Sequence, residues 1–166
     1  MNSKVILIVH GEPNSTFSEI LFKFFSSNKF RKMDKKIILI GSLKLLQKQM
    51  KILKYKIKFN EILDPCYSVK KLVNIINVDY KFKYPFSKIT KSSNQYIENC
   101  FDLSLKLIKK GKAHELINGP ISKKHFLLKK FPGITEYIAK KTNSKSTVML
   151  IYNDDIEHLF SLIILV

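Results

Sequence analysis

A chain of 166 residues fits one domain and is long enough to bury a core. With 45% hydrophobic and 26% charged residues it is globular, which excludes a disordered chain, and its longest apolar run, "LFSLIILV", stops at eight residues, well short of a membrane span. The formal net charge of +17 raises a nucleic-acid partner, but Arg31 is the only arginine and the lysines are scattered over every segment, so the charge reads as solvated lysine.

In chain order, strands and helices alternate. "KVILIV" is a continuous apolar run of strand length; it ends at His10-Gly11 and lacks the length and cleavage site of a signal peptide. Thr16 and Glu19 have capping-box spacing and open a helix that places Phe17, Ile20, Leu21, Phe24 and Phe25 on one face. "KKIILIG" is a second buried strand. Ser42 caps a helix whose Leu43, Leu46, Met50 and Leu53 recur at helical spacing. "YKIKFNEIL" alternates as a strand and is broken by Asp64-Pro65. Residues 66–93 read as a short helix and an irregular aromatic loop. Ile97, Phe101, Leu105 and Ile108 then share a helical face, with Gly111 suited to the position after the helix. "HELIN" is a strand, Gly119-Pro120 a turn, and Ser122 caps a short helix through Lys130. Another helix starts near Thr135, followed by the strand "STVMLIY", a turn at "NDD" and the strand "EHLFSLIILV". The pattern predicts one α/β domain over residues 1–166, with a largely parallel sheet and an antiparallel final pair.

Ligands of open α/β sheets gather at the carboxyl ends of the strands. Three loops stand there: "HGEPNSTFSE", "NGPISKK" and "GITE". The Asn118-Gly119-Pro120 turn is expected to expose backbone N–H groups beside a helix start, a place that suits an anion, with Lys123 adding charge. Lys129, further along that helix, is expected to lie too far away to take part. The plainer reading is a turn followed by surface lysines. Cys66 and Cys100 form no C-x-x-C pair and read as reduced thiols of a cytoplasmic protein. His10, His114, His125 and His158 lack metal-pair spacing and read as ordinary core or surface histidines; neither G-x-G-x-x-G nor a Walker loop occurs.

Taken together and in order, these loops resemble one family. "GEP" before a Ser-Glu-Ile helix start is similar to the G-[DE]-P-A-G-I-G-P-E opening of 4-hydroxythreonine-4-phosphate dehydrogenases. "KKGKAHELINGPISKKHF" resembles their G-x-x-D-A-L-V-T-G-P-I-x-K segment, and "FPGITEYIAKKT" resembles F-x-G-H-T-E-x-L-A-x-x-T. The resemblance implies a truncated, isocitrate/isopropylmalate-dehydrogenase-like α/β/α sandwich, corresponding to the N-terminal half of a homodimeric enzyme. It implies an oxidoreductase of pyridoxal phosphate biosynthesis that uses NAD and a divalent metal. The implied reaction oxidises 4-phosphooxy-L-threonine, a small phosphorylated amino acid, to a ketone that loses CO₂. Carried over by position, Thr135, Lys123, Asn118 and Gly119 are the implied substrate-binding residues, while Ile134 stands where the family has a histidine. The resemblance places the first metal histidine on the strand equivalent to "EHLFSLIILV", which ends here in Ile164, Leu165 and Val166; His158 comes too early to fill that role. No metal ligand, cofactor contact or catalytic residue is therefore assigned, and the chain is expected to bind neither NAD nor metal unaided. Two alternatives follow: a non-catalytic remnant that binds a phosphate ligand or dimerises, and a basic nucleic-acid-binding domain.

Overall fold

The computed structural model describes residues 4–145, 147–153 and 159–165, with side chains through residue 145. By contacts it divides into two units, Met1–Ser122 and Lys123–Val166.

The first unit is built on five parallel strands: β1 (Val5–Val9), β2 (Lys36–Gly41), β3 (Phe59–Glu61), β4 (Val73–Asn77) and β5 (Glu115–Asn118), in the order β3-β4-β2-β1-β5. Parallel strands need helical crossovers, which cover both faces, so the inner strands read as unbroken apolar runs. VILIV of β1 and Ile37–Ile40 of β2 are buried throughout. Register pairs Leu7 with Ile38 and Ile8 with Leu39. Ile8, Ile37, Leu39, Val73 and Ile75 share one face with α1 (Phe17–Ser26), α2 (Asn28–Lys32) and α3 (Leu43–Ile52). The alternate residues point to the other face, where α4 (Asn94–Lys109) packs on β1 and β2.

Phe22, Phe25 and Phe30 fill the first of these faces; truncating the fully buried Phe22 to alanine would cost about 3–5 kcal/mol. Ile20 is 57% exposed rather than on this face, because the helix turns Leu21 and Phe22 inward. The capping box does not form. Glu19 pairs with Lys23 at 2.8 Å, and Thr16 makes no side-chain cap. Ser42 does cap α3, its Oγ accepting from Leu45 N–H. At the end of α4, Gly111 takes φ +67°; its N–H donates to Ile108 O and Lys112 N–H to Leu107 O, the two bonds of a Schellman close.

Within the stretch expected to be helix and loop, residues 73–77 instead form β4, between β2 and β3. Asn74 hides this strand in the sequence. It is buried, and its side chain donates to Ile37 O and Val69 O and accepts from Val69 N–H and Asn60, so a polar residue serves as an interior one.

The second unit begins with a single π turn, Lys123–Leu127, rather than a helix capped by Ser122 and running to Lys130. Leu128 and Lys129 then both take left-handed φ, 52° and 59°, which ends the turn. α5 (Ile134–Thr142) follows and stops at left-handed Asn143. β6 (Thr147–Asn153) and β7 (Leu159–Leu165) form the expected antiparallel pair, Thr147 opposite Leu165. Asp154, Asp155 and His158 lie outside the described residues.

Candidate functional site at the carboxyl edge of the sheet

Strand order reverses at β1: the chain leaves it toward β2 on one side and returns to β5 on the other. In an open parallel sheet that is the switch point, and the crevice lies between the loops that leave its two strands. Here those loops are residues 10–16 after β1 and 118–122 after β5.

The two loops are held backbone to backbone. Gly119 N–H donates to Val9 O at 2.7 Å, and Glu12 N–H donates to Pro120 O at 2.8 Å. A side chain on Gly119 would overlap the carbonyl of His10 and the ring of Phe17. One on Gly11 would overlap Pro120 O. The expectation that the Asn118-Gly119-Pro120 turn presents free amides to an anion is therefore corrected. Gly119 spends its N–H on β1, and proline has none. The Asn118 side chain donates to the neighbouring Gly119 O at 3.2 Å.

Glu12 is 2% exposed. Its carboxylate accepts from Asn14 N–H at 3.1 Å and from Ser93 Oγ at 2.9 Å. Ser93 precedes α4, so this acid ties the β1 loop to the far helix. His10 is fully buried with both ring nitrogens engaged: Nδ1 lies 3.3 Å from Tyr96 Oη and Nε2 2.8 Å from Ser18 Oγ. Burial pulls its pKa down to about 4. Burial likewise raises the Tyr96 phenol well above its usual value and pushes the Cys100 thiol up to about 12. All three are neutral at physiological pH. The "GEP" match pointed to Glu12, but nothing local in the sequence marked Ser18, Gln49, Ser93 or Tyr96, which lie on three different helices or their starts.

Asn118 and Gly119 belong to the first unit, Lys123 and Thr135 to the second. In the second unit Lys123 lines a cavity of about 330 Å³ with Lys124, Lys129, Phe131 and Pro132. Lys129 is thus a neighbour of Lys123, not the distant residue a continuous helix would make it; the left-handed pair Leu128-Lys129 folds it back. Thr135 is buried in the first turn of α5, beside half-buried Ile134.

Among the described residues no three His, Cys, Asp or Glu side chains gather as a metal-binding group, and both nitrogens of His10 are occupied. The two glycines at this edge are packed against backbone and leave no cradle for a dinucleotide pyrophosphate. No helix among the described residues is long and apolar enough to cross a membrane.

Comparisons with known proteins agree on one family. A family model described as pyridoxal phosphate biosynthetic protein PdxA matches residues 32–162. A 4-hydroxythreonine-4-phosphate dehydrogenase of Sulfurihydrogenibium sp. is 31% identical over 151 residues, covering 88% of this chain and 45% of that protein. The crystal structure of a 4-hydroxythreonine-4-phosphate dehydrogenase from Burkholderia phymatum matches with a TM-score of 0.80 at 19% identity, over 92% of this chain and 47% of that one. One from Klebsiella pneumoniae matches at 0.78 and 18% identity, over 92% and 48%. At such identities the structures speak for the α/β fold alone. The chain spans about half the length of the relatives it matches.

Proposed function

Since this chain belongs to the family of the pyridoxal phosphate biosynthetic protein PdxA, we propose that it forms the N-terminal, substrate-side portion of a 4-hydroxythreonine-4-phosphate dehydrogenase. The observation that carries this reading is the family match over residues 32–162. The activity of the whole enzyme would be an oxidoreductase step that turns the secondary alcohol into a ketone, with loss of CO₂; a nicotinamide cofactor, when bound, would take up the hydride. This chain contributes the binding of the phosphorylated substrate. Lys123, with Lys124 and Lys129 around the same cavity, offers positive charge to the phosphate, and Thr135 is the other substrate-side residue of that unit. The reading carries with it a homodimer and a cytoplasmic setting.

A second reading is favoured by Ile134, which can neither bond nor carry a proton where the resemblance puts a histidine. On this reading the protein keeps the phosphate ligand and has lost turnover. One experiment addresses both. The chain is titrated calorimetrically with 4-hydroxythreonine 4-phosphate and assayed for NADH with NAD and a divalent metal. Binding without NADH formation is expected, weakened by about 1–2 kcal/mol in Lys123→Ala. NADH formation would refute the loss of turnover; binding no tighter than that of inorganic sulfate would refute the substrate-side role.

A further inference from the structure

We propose that His10 is a positioning residue: a buried chain of hydrogen bonds, running in one direction through its imidazole, fixes the loop of residues 11–14 at the switch point. The chain has five links. Ser42 N–H donates to Tyr96 Oη at 3.0 Å, and Tyr96 Oη meets His10 Nδ1 at 3.3 Å. His10 Nε2 meets Ser18 Oγ at 2.8 Å, and Ser18 Oγ donates to Gln49 Oε1 at 2.7 Å. Gln49 Nε2 donates to Pro13 O at 2.8 Å.

The direction follows from the two ends. A backbone carbonyl only accepts, so Gln49 turns its NH₂ to Pro13 and its oxygen to Ser18. That oxygen also only accepts, so Ser18 gives up its single proton. Only lone pairs remain on Ser18 for His10, and Nε2 must carry the hydrogen. At the other end Ser42 N–H only donates and takes a lone pair of Tyr96. The phenolic proton is left for His10 Nδ1 or for Cys100 beside it, and sulfur is the weaker acceptor. The Ser18 end demands the neutral Nε2–H tautomer, and the Tyr96 end accords with it. A chain pinned by groups that cannot reverse does not conduct protons, so His10 acts through geometry. Its low pKa is consistent with this.

The links come from different parts of the first unit: the start of α3, α4, the end of β1, α1, and α3 again. They converge on Pro13 O, next to Glu12 at the crevice. The loop has a single glycine, so its path is held by these side chains instead of by a glycine-rich backbone. A role in ligand binding rests on the dehydrogenase reading above; the hydrogen-bond chain itself does not.

The test uses the full chain. Long-range ¹H–¹⁵N spectra of the histidines should show His10 as neutral imidazole protonated at Nε2, unchanged from pH 7 to pH 5. Ser18→Ala, which cuts the chain at its centre, should speed exchange of the Glu12 amide by about tenfold or more while Ile38 in β2 keeps its protection. Tyr96→Phe is the second cut, and there His10 should show mixed tautomers or weaker protection of the same amide. A His10 protonated at Nδ1, or averaging between tautomers in the unaltered chain, would overturn the proposal; so would unchanged Glu12 protection in both variants. The tautomer and exchange results decide the role of His10 without any ligand, so failure of the unaltered chain to bind 4-hydroxythreonine 4-phosphate would count against the dehydrogenase reading alone.

Discussion

Around His10, at the carboxyl edge of the parallel sheet, the polar groups are buried and bonded in a fixed direction, whereas around His114, at its amino edge, they are exposed and paired by charge. His10 and His114 mark the contrast. His10 sits among Ser18, Tyr96 and Gln49 with no water-facing surface. His114, exposed before β5, accepts from Val5 N–H at 3.2 Å through ring Nδ1 and donates its own backbone N–H to Val5 O at 3.0 Å, beside a cavity of about 600 Å³. Around that cavity Lys112 pairs with Asp64, and Lys35 with Glu115 nearby at 3.5 Å. Burial makes each lost bond costly because the orphaned group cannot turn to water; exposure makes each ion pair replaceable by solvent and salt. The carboxyl edge should therefore be the rigid, mutation-sensitive end.

The largest effect expected is at the glycine that lets the two loops cross. Gly119→Ala drives a methyl group into the carbonyl of His10 and the Phe17 ring, where the backbone of β1 cannot yield. It should cost more than about 3 kcal/mol, at or beyond the upper end of ordinary overpacking. Gly111→Ala at the amino edge meets nothing within 4 Å and pays only for its left-handed φ, about 1 kcal/mol. Urea midpoints of the two variants check the contrast, and equal losses would break it.

Next comes pH. His10 has an ordinary pKa near 6.5 when unfolded and about 4 when folded, because burial opposes its charge. Between those values the unfolded chain binds more protons, so stability falls as pH drops from about 6.5 to 4. The groups facing the ring offer no compensating charge. Tyr96 and Cys100 on α4 are held neutral, Ser18 on α1 and Gln49 on α3 are uncharged, and Gly41 lies across on β2. The nearby Glu12 carboxylate is engaged by Asn14 and Ser93. At about 1.4 kcal/mol per unit the loss approaches about 3 kcal/mol. Urea unfolding at pH 7 and pH 4.5 should show it in the native chain, with a shallower dependence in His10→Leu. The same slope in both would locate the titration elsewhere.

How much of this was legible in the sequence depended on whether apolar pattern and burial coincide. β1 and β2 could be read because their inward residues are apolar; α4 was found as a helix, but its buried face takes in Tyr96, Cys100, Ser104 and Leu107 beside Ile97 and Phe101, while Leu105 and Ile108 are only half-buried. β4 could not be read, since Asn74 and Asn77 break the run while Asn74 is buried. The π turn after Ser122 carries helix-forming residues, and only the left-handed pair Leu128-Lys129 distinguishes it. At the site, motif order pointed to Gly119 and the β1 loop. It could not show that Gly119 serves a backbone crossing, nor that His10, Ser18, Gln49 and Tyr96, spread over 86 residues of chain, meet in one network. Such contacts between distant residues leave no local period to read.

The smallest effect belongs to the amino edge. Lys112 first, and the Cys66 N–H second, hold the Asp64 carboxyl down to about 2. The folded pKa lies below the unfolded one, so this pair contributes stability above about pH 4 and loses it as pH falls toward 2. That window does not overlap the one set by His10, and the two can be measured on one protein. Both partners are solvent-accessible, so screening leaves the pair little net value. Asp64→Asn keeps a side-chain oxygen for the Cys66 N–H and removes only the charge. Its thermal midpoint at pH 7 should stay within measurement scatter of the unaltered chain, and any difference seen at low salt should vanish at high salt. A loss as large as that of Gly111→Ala, persisting in salt, would mean that the amino edge is as tightly built as the carboxyl edge.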